Sequence, residues 1–168
     1  MLGRFVVLVD GTIGVGKTTL GGQLALRFGG TFLDGDDFKG AGRPWFCSSL
    51  TTCRSIRAAS VKALETDPIV FVGRPVRCMD WLYFKGQFER MGTRVILVGL
   101  QASFESLTAE ARGRTFSKRE RDRMAEMIQQ GYGARPYSDI HVHTDQEGIE
   151  RTVDRLEARL RAILDVRL

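Results

Sequence analysis

The sequence of 168 residues has no long hydrophobic run. Its longest apolar stretches are FVVLV at 5–9 and VILVGL at 95–100, both far below the roughly 18 residues that a membrane-spanning helix needs. The first stretch runs directly into Asp10 and a group of glycines, without the small-residue cleavage site that ends a signal peptide. The sequence therefore predicts a protein without a membrane span, and the cytoplasm is the expected location.

Cysteine and histidine are scarce as well. Cys47, Cys53 and Cys78 are odd in number and form no C-x-x-C motif, so neither a disulfide framework nor a zinc ribbon is indicated. His141 and His143 lie two residues apart in DIHVHTD, but the sequence offers no third ligand for a metal. We expect three reduced thiols, and two strand histidines that face away from the neighbouring aliphatic residues.

The chain is expected to form one domain that spans residues 1–168. Hydrophobic residues make up 43% of it, which is enough for a sizeable core at this length. Five short apolar runs, each bounded by Gly, Pro or Asp, predict strands. They are Arg4–Val9, Thr31–Leu33, Ile69–Val72, Arg94–Val98 and Ile140–Val142. The sequence contains no internal repeat and no low-complexity tract.

Helical patterns separate these strands. Leu20, Leu24 and Phe28 recur every four residues, and apolar residues between 149 and 163 repeat at intervals of four and three. Weaker helical stretches lack proline and carry good helix formers. They cover 50–66, 80–91, 103–112 and 118–130. Strands that are apolar on both faces and alternate with helices predict an α/β fold with a doubly wound, parallel, five-stranded sheet.

The first predicted strand leads into GTIGVGKT, Gly11 to Thr18, which matches G-x-x-x-x-G-K-[ST] at every specified position. In such a phosphate loop, bare backbone N–H groups surround phosphate oxygens, Lys17 reaches the β- and γ-phosphates, and the Thr18 hydroxyl ligates Mg²⁺. A chance glycine turn is the alternative, but a strand precedes the motif and an amphipathic helix follows it. The predicted nucleotide-binding residues here are Gly11, Thr12, Ile13, Gly14, Val15, Gly16, Lys17, Thr18 and Thr19.

A second informative stretch is GGTFLDGDDF at 29–38. Asp34 and Asp36 lie two apart after a short strand, so an extended backbone would point both carboxylates to one face and Asp37 away. In a doubly wound sheet this strand end lies beside the phosphate loop. Asp34 is therefore a candidate for holding Mg²⁺ and Asp36 for gripping a hydroxyl acceptor. The alternative is an acidic turn that caps the next segment.

The phosphate loop together with FLDGDDF resembles the small-molecule kinases of the shikimate kinase and gluconate kinase group, with adenylylsulfate kinase as a near relative. ARGRTF at 111–116 looks like the arginine-bearing lid of that group, and ARPYSDIHVHTD at 134–145 looks like its late Arg-x-Pro-x-Tyr segment. The resemblance implies a P-loop kinase fold with a helical lid at about 112–120. It also implies ATP and Mg²⁺ as cofactors, with the adenine near Arg112 and Arg135.

The chain departs from that group after the third predicted strand. The glycine run that shikimate kinases carry after the third strand is reduced here to Gly73, followed by Arg74. A true shikimate kinase is therefore not expected. GTIGVGKTTL also looks like the loop of deoxynucleoside kinases, but their Asp-Arg-Ser-type segment is not evident.

The basic stretch ARGRTFSKRERDR fits phosphoryl transfer, because guanidinium groups on a mobile flap can stabilise the charge of the migrating group. Arg112 and Arg114 are the predicted catalytic arginines. Arg119, Arg121 and Arg123 belong either to this flap or to a solvated helix face. Nucleic-acid binding is a rival use, but no interleaved aromatic residues support it.

No aspartate ends the third or fourth predicted strand, where a motor or switch ATPase carries its metal-binding carboxylate. This absence favours a kinase in which Asp34 takes the metal role. Gly73 and Arg74 at the end of the third strand, and Arg57 on the preceding helix, are predicted to bind an anionic acceptor, unless the arginines are surface residues. The two tryptophans are expected in the core rather than in the acceptor pocket. Asp10 receives no assigned role.

The sequence thus predicts an ATP-dependent phosphotransferase acting on a hydroxyl of a small anionic metabolite, in which Lys17, Asp36, Arg112 and Arg114 are catalytic. A nucleoside or nucleotide kinase is one alternative. A nucleotide-binding regulator without transfer activity is another, although the Asp-x-Asp pair argues against it. The expected partner is a small-molecule substrate, with neither membrane nor nucleic acid, and a monomer or a homodimer is compatible with the sequence.

Overall fold

The computed structural model describes residues 3–40, 45–110 and 113–165, without the side chains of 45–48 and 165. Five strands form one sheet, and every pair of neighbouring strands is parallel. The strands are β1 Arg4–Asp10, β2 Thr31–Asp34, β3 Ile69–Gly73, β4 Thr93–Gln101 and β5 Ile140–His143. Their order across the sheet is β2-β3-β1-β4-β5. The prediction of a parallel five-stranded sheet from these five segments is confirmed.

Helices connect the strands. They are α1 Lys17–Phe28, α2 Trp45–Ala63, α3 Cys78–Glu89, α4 Phe104–Thr108, α5 Lys118–Gln129 and α6 Ile149–Asp165, and a 3-10 turn covers Gly35–Phe38. The helix expected over 103–112 is shorter than predicted, because the backbone turns to an extended conformation at Ala109. A capping box of Ser117 and Glu120 then starts α5, where the serine hydroxyl accepts from the Glu120 N–H.

The core lies on both faces of the sheet, as expected for a doubly wound fold. Alternate residues of β1 point to opposite faces. One face packs against α1, α5 and α6 through Val7, Val9, Leu20, Leu24, Met124, Val153 and Leu156. The other face packs against α2 and α3 through Val6, Leu8, Ile56, Val70, Val72, Phe84 and Phe88. Because helices cover both faces, ligands have access to the sheet mainly at its edges.

The strand order creates a crevice at the carboxyl edge of the sheet. β1 pairs with β3 on one side and with β4 on the other, so the loops that leave the carboxyl ends of these strands diverge around β1. In open parallel sheets ligands bind in the crevice at such a switch point. Residues 11–16, between β1 and α1, lie in this crevice. Among the described residues, no helix combines the length and the hydropathy that a membrane crossing requires.

Candidate active site

A cavity of about 1610 Å³ opens at the carboxyl edge of the sheet. Residues 13–20 of the phosphate loop and α1 form its floor. Gly14 and Gly16 have φ values of 76° and 103°, which L side chains rarely adopt, so the two glycines allow the loop to curl. Gly16 caps α1 without a side chain, and the first turn of α1 carries no acidic residue. The positive end of the helix is therefore left for an anion.

The side chain of Lys17 folds back into its own loop. Its Nζ donates to the carbonyl oxygens of Gly11 at 3.0 Å and Thr12 at 2.7 Å. Burial lowers the pKa of Lys17 to about 8, although the nearby carboxylates of Asp10, Asp36 and Asp34 act in the opposite direction. An anion in the loop would favour the charged ammonium, so Lys17 is placed where it could bind one.

The clearest pair of hard oxygen ligands lies beside this lysine. The Thr18 hydroxyl donates to Asp34 Oδ2 at 2.9 Å, which joins the start of α1 to the end of β2. Both residues line the cavity. A hydroxyl and a carboxylate from neighbouring elements suit Mg²⁺, which is commonly held by few protein oxygens and completed by phosphates and water.

Asp36 enters the same cavity by a different backbone path than predicted. The chain leaves the extended conformation after Asp34 and forms the 3-10 turn, in which the Asp36 N–H donates to Asp34 Oδ1 at 3.0 Å. The predicted extended backbone over 34–36 is therefore wrong, because Asp34 caps a 3-10 turn. Asp36 nevertheless lines the cavity, whereas Asp37 does not. The side chain of Asp36 is 68% exposed, and its Oδ1 lies 2.6 Å from Lys39 Nζ.

The predicted lid lies over the phosphate loop. The ring of Phe116 is nearly buried and packs so closely on Gly14 that a Cβ there would lie 2.8 Å from the ring. The guanidinium of Arg114 stacks 4.7 Å from the Phe116 ring centroid and lies 3.8 Å from Glu120 Oε1. Arg114 and Arg119 both line the cavity. Arg112, predicted to be catalytic and to contact adenine, lies outside the described residues.

The wall opposite the lid follows β3. Gly73 ends the strand, and a Cβ there would lie 2.9 Å from the ring of Phe32, so this position has little room for a side chain. Arg74 follows it and lines the cavity with Arg77 and Asp80. The predicted substrate residues Gly73, Arg74 and Asp36 are thus brought together around one cavity.

Three other predicted site residues lie elsewhere. Arg57 is on the second half of α2, and its Nη2 contacts Met91 Sδ at 3.6 Å, near the start of β4 and the opposite edge of the sheet. Gly11 and Thr12 are buried beneath the cavity floor, where their carbonyls accept from Lys17. The structure does not bring any of them to the cavity wall.

Arg135, predicted to contact the nucleotide, makes its contacts within the protein. Its Nε donates to the Val76 carbonyl at 3.2 Å and its Nη1 to the Gln130 carbonyl at 2.7 Å, while its guanidinium stacks 4.3 Å from the Tyr132 ring centroid. It is absent from the cavity lining among the described residues. Arg135 therefore braces the loop after β3 against the end of α5.

Asp10 also connects the loop after β3 to the segment that follows α5. It is fully buried; its Oδ1 accepts from the Val76 N–H at 2.7 Å and its Oδ2 from the Gly133 N–H at 2.8 Å, and Arg135 Nε lies 4.0 Å away. Burial raises the pKa of the Asp10 carboxyl, while these N–H bonds and Arg135 act against the rise. Asp10 thus ties the cavity wall to the loop before β5.

Replacing Asp10 by Asn is expected to lower the free energy of unfolding by about 1–3 kcal/mol. A carboxylate can accept from both backbone N–H groups, whereas an amide offers one oxygen and turns an NH₂ group towards the other donor. Urea denaturation monitored by circular dichroism measures the change. Exposed Asp37→Asn is the matched control and should stay within about 0.5 kcal/mol of the parent. Equal stabilities of the two variants would contradict the bracing role.

Sequence reasoning missed Phe116, Arg77 and Asp80. The aromatic residue lay within the quoted lid motif, and an acid three residues after an arginine at a helix start was a local signal for a cap. The two histidines behave as expected, because Ile140 and Val142 are buried and His141 and His143 exposed. Across the described residues, no cluster of three or more His, Cys, Asp or Glu side chains could hold a metal ion.

Comparisons with known proteins identify the fold. A scan against protein-family models and a search of curated protein sequences found no match. Among solved structures, a gluconokinase from Sinorhizobium meliloti 1021 is similar at 15% identity and a TM-score of 0.65, over 98% of this chain and 94% of that chain. A shikimate kinase from Bacteroides thetaiotaomicron is similar at 19% identity and a TM-score of 0.57, over 94% and 98%.

A third similar structure is the tunicamycin resistance protein of Deinococcus radiodurans, at 16% identity and a TM-score of 0.58, over 94% of this chain and 95% of that chain. These similarities extend over nearly the whole chain, although every identity is low. The chain thus has the α/β fold of the gluconokinase and shikimate kinase structures, as its motifs predict.

Proposed function

We propose that this chain is an ATP-dependent phosphotransferase that moves the γ-phosphate of ATP to a hydroxyl group of a small metabolite. The observation that carries the proposal is the 2.9 Å contact between the Thr18 hydroxyl and the Asp34 carboxylate, beside Lys17 and in one cavity with Asp36. This arrangement provides a phosphate cradle, a pair of metal ligands and a carboxylate for an acceptor.

The phosphate loop and Lys17 bind and orient the triphosphate. Lys17 exchanges its two loop carbonyls for phosphate oxygens, and the first N–H groups of α1 are directed at the same anion. Thr18 and Asp34 would hold Mg²⁺, which when bound neutralises charge on the β- and γ-phosphates. Arg114 and Arg112 of the lid are proposed to stabilise the charge of the migrating group and to exclude water.

Asp36 is proposed to orient the acceptor hydroxyl and to take its proton during an in-line transfer. Its carboxylate is exposed to the cavity, and its ion-pair partner among the described residues is the flexible side chain of Lys39. Such a carboxylate can exchange its partner for a substrate hydroxyl at little cost, because an exposed ion pair contributes about 0–1 kcal/mol. No covalent intermediate with the protein is required.

The cavity favours transfer over mere nucleotide sensing. It extends past the phosphate loop to the wall at Arg74, Arg77 and Asp80, which provides space for a second substrate. The described residues on that side carry charged and hydroxyl groups rather than an aromatic face, and Trp81 is occupied by stacking on Tyr137 at 5.9 Å. This wall supports a small polar acceptor over a nucleoside, whose base would need an apolar or aromatic surface.

The test is ADP release in a coupled assay, run with MgATP and a panel of polyols, sugar acids, sugar phosphates and nucleosides. We expect release that depends on an acceptor and is lost when EDTA removes the metal. Calorimetry with the ATP analogue AMP-PNP, with and without Mg²⁺, measures nucleotide binding separately. Absence of nucleotide binding in the presence of Mg²⁺ would refute the proposal.

A further inference from the structure

Two arginines and one aspartate form a cluster on the cavity wall after β3. Asp80, in the first turn of α3, is 3% exposed. The shortest contacts of the Asp80 carboxylate are with Arg77. Arg77 Nη2 lies 2.9 Å from Asp80 Oδ1, Nε donates to Oδ2 at 3.0 Å, and the Arg77 backbone N–H donates to Oδ2 at 3.1 Å. The Ser49 hydroxyl donates to Oδ1 at 3.2 Å. The Cys53 thiol donates to Oδ1 at 3.4 Å. Arg77 therefore neutralises the carboxylate of Asp80, and Ser49 and Cys53 are its further donors.

Arg74 is left with weaker partners. Its side chain is only 11% exposed, yet its Nη2 lies 3.5 Å from Asp80 Oδ2. Its Nη1 contacts Cys53 Sγ at 3.3 Å and its Nε the Pro75 carbonyl at 3.3 Å. Charge-assisted N–H···O bonds are about 2.7–2.9 Å long, so neither contact to oxygen is a strong one, and a thiol sulfur is a weak acceptor. The Phe84 ring, 5.8 Å from the guanidinium, contributes at most a modest cation–π attraction.

Within the part of the chain that the structure describes, the neighbours of Arg74 do not supply the missing negative charge. Burial raises the pKa of the Cys53 thiol to about 11, so Cys53 is uncharged at neutral pH. Asp36 lines the cavity but pairs with Lys39 at 2.6 Å. The group of Arg74, Arg77 and Asp80 therefore carries one net positive charge. It lies on the wall of the cavity whose floor is the phosphate loop.

A largely buried guanidinium with incomplete neutralisation is unfavourable, because water no longer solvates it and its partners lie too far away. Arg77 already compensates Asp80, so Arg74 is not needed for that purpose. Its position immediately after Gly73, at the carboxyl edge of the sheet, is where ligands of such sheets bind. The uncompensated positive charge of Arg74 thus lies where an anionic ligand can neutralise it.

We propose that Arg74 binds an oxyanion of the phosphate acceptor, a carboxylate or a phosphate, and that Asp80 and Arg77 hold its guanidinium in position. The inference rests on the proposed function and specifies its substrate class: a hydroxylated compound that carries an anionic group. Arg74 contacts the substrate, whereas Asp80 is a positioning residue that acts through Arg74. A forked guanidinium contact to the oxyanion would orient the acceptor relative to Asp36.

Kinetics test the role of Arg74. Gluconate, glucose 6-phosphate and glucose serve as acceptors with a carboxylate, a phosphate and no charge. Arg74→Met keeps most of the volume and removes the charge; exposed Arg54→Met on α2, outside the cavity, is the matched control. We expect Arg74→Met to raise the KM of the anionic acceptor by roughly 10- to 100-fold while the KM of ATP stays unchanged. Arg74→Lys should recover part of the loss.

The positioning role of Asp80 has its own readout. Asp80→Asn should raise the KM of the anionic acceptor, whereas kcat at saturating acceptor and the KM of ATP stay close to the parent values. A merely structural role would lower the apparent kcat in step with the folded fraction and leave the KM of the acceptor and the KM of ATP unchanged. An unchanged acceptor KM in Asp80→Asn, or equal turnover of glucose and its anionic counterparts, would overturn the proposal.

A binding experiment decides the matter without turnover. The phosphate loop is first filled with Mg²⁺ and AMP-PNP, and sodium malonate or sodium phosphate is then compared with sodium chloride at equal ionic strength by thermal unfolding. We expect both oxyanions to raise the Tm of the parent and of Arg54→Met above the chloride value, but not that of Arg74→Met. Equal shifts in Arg74→Met would refute the anion subsite. Failure of the kinase proposal would instead appear as intact anion binding without ADP release for any acceptor.

Discussion

Lys17→Ala is expected to lower turnover by about 10²- to 10³-fold, the effect of removing one preorganised donor from a developing charge. The ammonium is the cation at the centre of the phosphate loop, and no other described Lys or Arg belongs to residues 11–18. The measurement is kcat in the ADP-release assay. Calorimetry should show weaker binding of AMP-PNP as well, because the lysine contacts phosphate before and during transfer.

The fold should survive this change. Lys17 Nζ donates to two carbonyls of its own loop and lies in a site that lowers its pKa, so removing it also removes the cost of burying a charge. Lys62→Ala, on the exposed side of α2, is the matched control and should retain full activity. A folded Lys17→Ala protein with parental kcat would exclude the phosphate loop from the reaction.

The parts that could be predicted from the sequence are those with local signals. The phosphate loop is such a case, because Gly14 and Gly16 are needed for backbone angles that other residues rarely adopt. The strands are another, since runs apolar on both faces have few alternatives in a chain that also carries amphipathic helices. The strands are confirmed in the described residues, and the two glycines have the expected backbone angles, while phosphate binding by the loop stays a prediction.

The contacts that the sequence could not reveal join residues far apart in the chain. Asp10 meets Val76 and Gly133 only because β1, β3 and the loop before β5 reach the same edge of the sheet. Phe116 packs on Gly14 only because the lid turns back over the loop. No local pattern encodes such approaches, and their positions depend on the tertiary fold.

Arg57 illustrates a different difficulty. It lies on the helix next to the predicted acceptor site, but α2 rises by about 1.5 Å per residue and residue 57 lies about 18 Å along the helix from Trp45. At that height its guanidinium meets Met91 rather than the cavity. Arg74 directly follows the last residue of β3, so its location at the edge of the sheet could be predicted from the end of the strand alone.

Asp36→Asn is expected to lower kcat by about 10²- to 10⁴-fold, the usual contribution of a positioned general base. An amide can still touch the acceptor hydroxyl but cannot take its proton. The KM of ATP should stay unchanged, because Asp34 and Thr18 keep their own contact and hold the metal side of the site. Steady-state kinetics with the best acceptor of the panel provide the measurement.

Asp37→Asn is the neighbouring control, because Asp37 is exposed and does not line the cavity. It should keep parental kcat, while both variants should lie within about 0.5 kcal/mol of the parent in unfolding free energy. The turn itself depends on Asp34, which accepts from the Asp36 backbone N–H in either variant, so a loss of kcat cannot be assigned to its unfolding. If Asp36→Asn and Asp37→Asn have equal kcat, the proton must leave the acceptor by another route, and Asp36 loses its proposed role while Lys17 and the metal ligands keep theirs.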